Sequence, residues 1–369
     1  MFKLHIYRFL IKLDSEFSFL ISTDKMSKIP HILIIYTGGT IGMMKDYKTN
    51  VLRSFDFKHI YNSIPELNHL DCSLETISFE LPIDSSNINP SHWDSIATII
   101  QSHYHKADGF VVLHGSDTMS YTASAISFMI ENLDKPIIFT GSQLPIGDLR
   151  TDAKENMITA IEIAAAQKNG KPRIAEVCIY FEYKLYRANR TTKISAAQFQ
   201  AFDSPNYPIL AESGVELKFH EHTLLPLKSS KELIFRKILP QNVLLIKLFP
   251  GITEAVLHHM FQMPELKGVI LETYGSGNAP TEQWFLEILR NTLKKGIPIV
   301  DITQCFAGSV VLGKYETSFE LLEMGLIDGK DITTEAAVTK LMYLFSIPEI
   351  GGRIKDLFET SLRGEIGNT

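Results

Sequence analysis

From residue 31 onward, short unbroken apolar runs alternate with longer stretches whose apolar residues recur every three or four positions. HILIIYT (31–37), FVVLHG (110–115), PIIFTGS (136–142) and RIAEVCIYF (173–181) are rich in β-branched and aromatic residues, as strands buried on both faces are. Between them, residues 119–133 (MSYTASAISFMIENL) and 150–168 (RTDAKENMITAIEIAAAQK) carry the 3.6-residue spacing of helices. Strand–helix–strand order predicts a parallel sheet with right-handed crossovers, and such sheets take ligands at the carboxyl ends of their strands. The regularity fails after about residue 215, and residues 220–241, with two prolines and a polar SSK, predict a linker. A second alternation then runs through NVLLIKLFPG, a helix near 252–262, KGVILETYG, a helix near 281–295 and GIPIVDITQC, with further helices near 316–326 and 333–346. The pattern predicts an α/β protein of two domains, each with a Rossmann-like parallel sheet. The larger N-terminal domain spans 30–219 and the smaller C-terminal domain 242–369.

Composition narrows the function classes. A chain of 369 residues suits two domains. At 45% hydrophobic and 21% charged residues it is an ordinary globular protein, not a disordered or fibrous one. Its formal charge of −6 gives no broad electrostatic grip on nucleic acid or an anionic membrane, so a small partner is expected. Cys72, Cys178 and Cys305 form no C-x-x-C, which argues against a disulfide framework or a structural zinc and fits a reducing cytoplasm. The close pairs His103/His105, His220/His222 and His258/His259 lack H-E-x-x-H spacing, so no metal is expected. The first residues begin like a signal peptide, but Arg8, Lys12, Asp14 and Glu16 interrupt the apolar run. No stretch reaches the length of a membrane span. Residues 1–29 are read as an N-terminal extension, with Met26 as a candidate translation start.

Three strand ends of the first domain finish in glycine and hydroxyl residues: TGGT (37–40), HGSDT (114–118) and TGSQ (140–143). Glycine lets a ligand approach the backbone, and a following helix offers unpaired N–H groups. One such end is a tight turn; three on one sheet edge predict a site. TGGTIG lacks both the GK[ST] ending of a phosphate loop and the G-x-G-x-x-G order of a dinucleotide site, so no nucleotide cofactor is expected. Hydroxyl nucleophile chemistry is the alternative. Thr40 stands at a strand end, with Asp117 and Lys193 as candidates to activate it. The absence of G-x-S-x-G argues against an ordinary α/β-hydrolase. Read alone, Asp117 is equally a helix N-cap and Lys193 a surface lysine.

TGGTIG (37–42) and HGSDTM (114–119) together resemble the paired signatures of the bacterial-type L-asparaginase family. DSS (84–86), YTASAISFMIENL (121–133), TGSQLP (140–145), LYRANRTTK (185–193), YGSGNAP (274–280) and ITQC (302–305) extend the likeness over roughly residues 30–365, in the cytoplasmic type I branch. The resemblance implies hydrolysis of L-asparagine to L-aspartate and ammonia. Thr40 corresponds to the nucleophile that forms the acyl-enzyme, and Ser116, Asp117 and Lys193 to the second catalytic group. Asp117 also corresponds to the partner of the substrate's α-amino group. Asp84, Ser85 and Ser86 match the segment that grips the α-carboxylate and α-amino ends. Asn278 matches a position that completes a neighbouring subunit's site, which implies a homodimer or homotetramer.

Three departures from the family pattern stand out. Ser116 replaces the usual threonine and keeps the hydroxyl. The lid tyrosine's register falls on Asn50, leaving Tyr47 as the candidate if the loop is shorter. Some type I enzymes bind asparagine at an effector site; here its residues would be Glu272, Thr273, Tyr274, Gly275, Thr303 and Cys305. Glu272 occupies the position of the family's arginine, and a carboxylate cannot pair with the effector's carboxylate, so weak or absent activation is expected. The glutamine-hydrolysing subunit of an archaeal-type tRNA amidotransferase shares these signatures but bears an extra N-terminal domain, for which 29 residues are too few. A non-catalytic amino-acid sensor is the third reading, disfavoured by the presence of Thr40, Asp117 and Lys193 together.

Overall fold

The computed structural model describes residues 29–46, 51–54, 64–227, 231–239, 241–348 and 350–367. Tyr47 and, except for Ile29, the N-terminal extension lie outside the described residues. The strands β1 (His31–Gly38), β2 (Ser73–Ile83), β3 (Gly109–Leu113), β4 (Ile137–Thr140), β5 (Val177–Phe181), β6 (Lys184–Arg187), β7 (Ala211–Ser213) and β8 (Leu217–Phe219) form one sheet. Its order is β8-β7-β6-β5-β4-β3-β1-β2. From β2 to β5 the pairing is parallel, and β6, β7 and β8 extend it antiparallel. The chain runs from β1 outward to β2, then returns to β3 on β1's other side. That reversal makes the β1/β3 gap the topological switch point, where such sheets bind ligands.

Alternation along each central strand divides the core into two layers. Leu33, Ile35, Phe110 and Val112 face the helices α1 (Pro90–His103) and α2 (Met119–Met129), while Ile32, Ile34, Val111 and Leu113 face α3 (Ala153–Ala165). Helix α1 begins with an Asn89 cap, Pro90 at its first position and a reciprocal bond from the Asn89 N–H to His92. The segment before the second domain is tied back to the first, because Ile234–Phe235 pairs antiparallel with Ile130–Glu131.

The second sheet is parallel throughout, in the order β9 (Val243–Lys247), β10 (Gly268–Thr273), β11 (Ile299–Thr303), β12 (Ile327–Asp328). Around it lie α4 (Glu254–Phe261), α5 (Gln283–Lys294), α6 (Glu316–Met324), α7 (Thr334–Phe345) and α8 (Ile354–Glu359). Apart from Tyr121, every residue of α2 is buried, since one side meets the first sheet and another meets α7. The two domains therefore share one core. Among the described residues, no helix is long and apolar enough to cross a membrane.

Residues 360–367 leave α8 and lie along the N-terminal domain. Lys340 and Glu365, both fully buried, pair at 2.5 Å. Lys340 Nζ also donates to the carbonyls of Phe358 and Thr360, and Glu365 accepts from the N–H groups of Leu362 and Arg363. Such a pair adds little over apolar packing while complete, but half of it is a buried unpaired charge. Lys340→Met should therefore cost about 3–5 kcal/mol in urea unfolding, and adding Glu365→Leu should recover most of that loss. A double variant as unstable as the single one would contradict this account.

Candidate active site

The carboxyl ends of β1, β2 and β3 touch at atoms that leave no room for side chains. A Cβ on Gly38 (φ 135°) would lie 2.2 Å from the Ile83 carbonyl oxygen. On Gly39 (φ 85°) it would lie 2.5 Å from the Cα and N of Gly115, and on Gly115 2.5 Å from Ser85 Oγ. The glycines of TGGT and HGSDT are thus required both by close approach and, in the first pair, by backbone conformation. Two bonds fasten the same junction: Thr37 Oγ1 donates to the Leu113 carbonyl at 3.0 Å, and Thr118 Oγ1 to the Ser85 carbonyl at 2.7 Å. Thr40 and Ser116 each follow one of the touching glycines. The packing therefore carries two hydroxyl residues from opposite sides of the switch point to one place.

Lys193 joins them from further along the chain. Its Nζ donates to Ser116 Oγ at 2.9 Å and to Asp117 Oδ1 at 2.6 Å. The lysine is mostly buried (17% side-chain exposure) while Asp117 is open (65%), so the ammonium is inside and the carboxylate rim faces outward. Ser116 Oγ in turn donates to Gln143 Oε1 at 3.4 Å. Asp152 holds that loop by accepting from the N–H groups of Gln143 and Leu144. The sequence motif TGSQ contains Gln143, but nothing in the motif points its amide at Ser116. Residues 116–118 form a short turn leading into α2, whose first N–H groups favour negative charge beside Ser116.

Around this cluster, Asp84 folds onto Ser86, accepting from its N–H at 2.9 Å and its hydroxyl at 2.8 Å. Those bonds hold the exposed carboxyl below its ordinary range. Ser85 is buried beneath, against Gly115. His114, wholly buried, is pushed down to about 4 by burial and stays neutral, so it supplies no cation here.

A second group forms at the carboxyl ends of β10 and β11. Glu272 Oε1 accepts from Thr334 Oγ1 at 2.6 Å, with Lys247 Nζ 3.6 Å from its other oxygen. Thr303 Oγ1 donates to the Gly275 carbonyl, the exposed Cys305 donates its N–H to Thr303, and Tyr274 pairs with Asn278 across a turn. Asn278 Oδ1 accepts from Thr317 Oγ1 at 2.7 Å. Among the described residues, no hydrogen bond or ion pair joins Asn278 to Thr40, Ser116, Asp117 or Lys193 of the same chain.

Under this group lies Asp301, whose Oδ1 accepts from Thr273 Oγ1 at 2.6 Å while Oδ2 has no partner. Burial pushes its carboxyl up to about 7, against the opposing Thr273 hydroxyl and with help from Asp328. The folded state thus keeps a proton that the unfolded chain releases near the ordinary carboxylate value. This stabilisation is complete below that value and is lost as pH rises through about 7. Asp301→Asn should therefore gain stability relative to the unsubstituted protein between about pH 5 and about pH 8. Thermal melts that keep a constant difference over that range would contradict the assignment.

The chain matches the family model described as Asparaginase, N-terminal, over residues 31–225, and that of the Glutaminase/Asparaginase C-terminal domain over residues 242–358. L-asparaginase 1 of Escherichia coli (strain K12) is 41% identical over 336 residues, 91% of this chain and 97% of that protein. The crystal structure of L-asparaginase I from Vibrio cholerae O1 biovar eltor matches with a TM-score of 0.83 at 39% identity, covering 92% of this chain and 99% of that one. A 60 kDa lysophospholipase of Mus musculus is 37% identical over 91% of this chain, which spans 62% of that longer protein. Two α/β domains, the first with a reversed strand order, and a hydroxyl–ammonium–carboxylate cluster at its switch point, with these relatives, define the class: an amidohydrolase. The chain belongs to the asparaginase family, in its type I branch.

Proposed function

We propose that the protein hydrolyses L-asparagine to L-aspartate and ammonia through an ester on Thr40. The Lys193 ammonium bridging Ser116 Oγ and Asp117 Oδ1, next to the Gly39–Gly115 contact that delivers Thr40, carries this reading. Thr40 Oγ bonds to the side-chain amide carbon of asparagine, and its proton passes through the Ser116–Lys193–Asp117 group or a lid tyrosine to the leaving nitrogen. The C–N bond breaks and ammonia departs. Water then attacks the ester, and its proton returns to Thr40 as the C–O bond opens. Backbone N–H groups near Thr40 and Ser116 stabilise the oxyanion of both steps. Asp117, exposed at the rim, pairs with the substrate ammonium, and the Asp84–Ser86 segment holds its other end. Tyr47 remains the proposed lid residue.

Asn278 acts in the site of a second copy, in a homodimer or homotetramer. In support, Phe306, Val311, Tyr315, Phe319 and Leu322, in the segments that hold the Asn278 turn, are exposed in the single chain. The protein works in the cytoplasm without a cofactor. Glu272, engaged with Thr334 and Lys247, puts a carboxylate where an effector's carboxylate needs a cation, so asparagine activates the enzyme weakly or not at all.

Thr40→Ala should lower ammonia release from asparagine at least ~10³-fold while thermal unfolding stays close to that of the unsubstituted protein. Retained turnover would move the nucleophile to Ser116. Release by the unsubstituted protein should rise hyperbolically with asparagine; a sigmoidal curve would restore the effector site. Turnover of glutamine alone would favour an amidotransferase-type activity, and affinity for asparagine without ammonia would leave a sensor.

A further inference from the structure

Lys193 occupies a two-residue strand, Thr192–Lys193, paired antiparallel with Phe202–Asp203. Successive side chains of a strand point to opposite sides, so Thr192 faces away from the cluster that Lys193 enters. Its hydroxyl donates to Glu335 Oε1 at 2.5 Å, a bond spanning 143 positions and the two domains. Glu335 is the second residue of α7 and only 8% exposed. Burial raises its carboxyl pKa, while the Thr192 hydroxyl, its own N–H and Thr333 favour the charged form and the neighbouring Glu272 opposes it. A buried carboxylate with few partners holds each of them firmly, since losing one leaves it unsatisfied.

The same stretch is fastened just upstream. Arg190 pairs with Asp331 at 2.8 Å and donates to the Gly364 carbonyl at 2.7 Å. On the other side of the ribbon, Phe202 packs against Phe181 with ring centroids 4.9 Å apart. Between these supports, the Thr192–Glu335 bond acts one residue from the ammonium.

We infer that Glu335 is a positioning residue for the reaction: through Thr192 it holds the Lys193 ammonium on Ser116 and Asp117, so the second domain sets the geometry of a site built in the first. This rests on the asparagine-hydrolysis reading above. Glu335 touches none of Ser116, Asp117 or Lys193 among its hydrogen bonds and ion pairs, so its effect is on turnover and not on substrate affinity.

The test is a double-mutant cycle read by steady-state ammonia release. Thr192→Val and Glu335→Ala should each lower kcat roughly ten- to a hundred-fold with KM changed by no more than a few-fold. The double variant should be no slower than the slower single one, because both remove the same bond. Thr192→Ser and Glu335→Gln keep a donor and an acceptor, and should restore most of kcat. Unchanged kcat in Thr192→Val, losses that multiply in the double variant, or a change confined to KM would overturn the inference. If Glu335→Ala does not fold, Thr192→Val and its serine counterpart decide the matter, since neither removes a buried charge. Absence of ammonia release by the unsubstituted protein would instead overturn the reading on which the inference rests.

Discussion

The contact between Gly39 and Gly115 is the constraint on which the site depends. A Cβ on Gly39 would sit 2.5 Å from the Gly115 backbone, so the two strand ends approach as closely as bare backbone allows. Gly38 against Ile83 and Gly115 against Ser85 complete a junction of three strand ends. Because β1 lies between β2 and β3, each neighbour supplies one wall, and Thr40, Ser85 and Ser116 emerge together. The proposed chemistry needs a hydroxyl held near an ammonium, and close-packed backbone brings the two hydroxyl-bearing segments together without flexible side chains as spacers.

A second constraint comes from across the domain boundary. The buried pair Lys340–Glu365 fastens the 360–367 segment to α7, and the buried Arg190, paired with Asp331 and donating to Gly364, ties that segment and the loop before α7 to the stretch that ends at Lys193. Helices α2 and α7 share apolar contacts in one core, so the domains cannot shift without opening it. The charged pairs add direction to that packing, since each leaves an unpaired buried charge if its partner moves. Ser116 and Asp117 belong to the first domain, yet the segment that delivers the lysine to them is held by the second at Arg190 and Thr192.

Much of this was legible in the residues. The central strands read clearly because both faces are buried: Ile32–Tyr36 and Phe110–Leu113 are unbroken apolar runs, and α3 and α7 carry clean helical periods. Strand β2 was not, since it lies at the sheet edge with alternating exposed and half-buried positions and a proline at 82. The antiparallel strands β6 to β8 are short and follow turns that periodicity does not report. The predicted helix over 119–133 ends at Met129, where Ile130–Glu131 turns into a strand to receive Ile234–Phe235. At the site, glycine and hydroxyl residues marked the strand ends. Lys193 read as an ordinary surface lysine until its family register raised it. Gln143 facing Ser116 and Glu335 facing Thr192 carry no local signal, because their partners are 27 and 143 positions away.

The account stands on Thr40 being the hydroxyl that the glycine junction delivers to the substrate. The most direct measurement is rapid acid quenching of the protein during asparagine turnover, followed by peptide mass mapping of any aspartyl ester. The account predicts the added aspartyl group on the peptide containing Thr40. An ester on the peptide containing Ser116, or sustained turnover with no ester on Thr40, would contradict it.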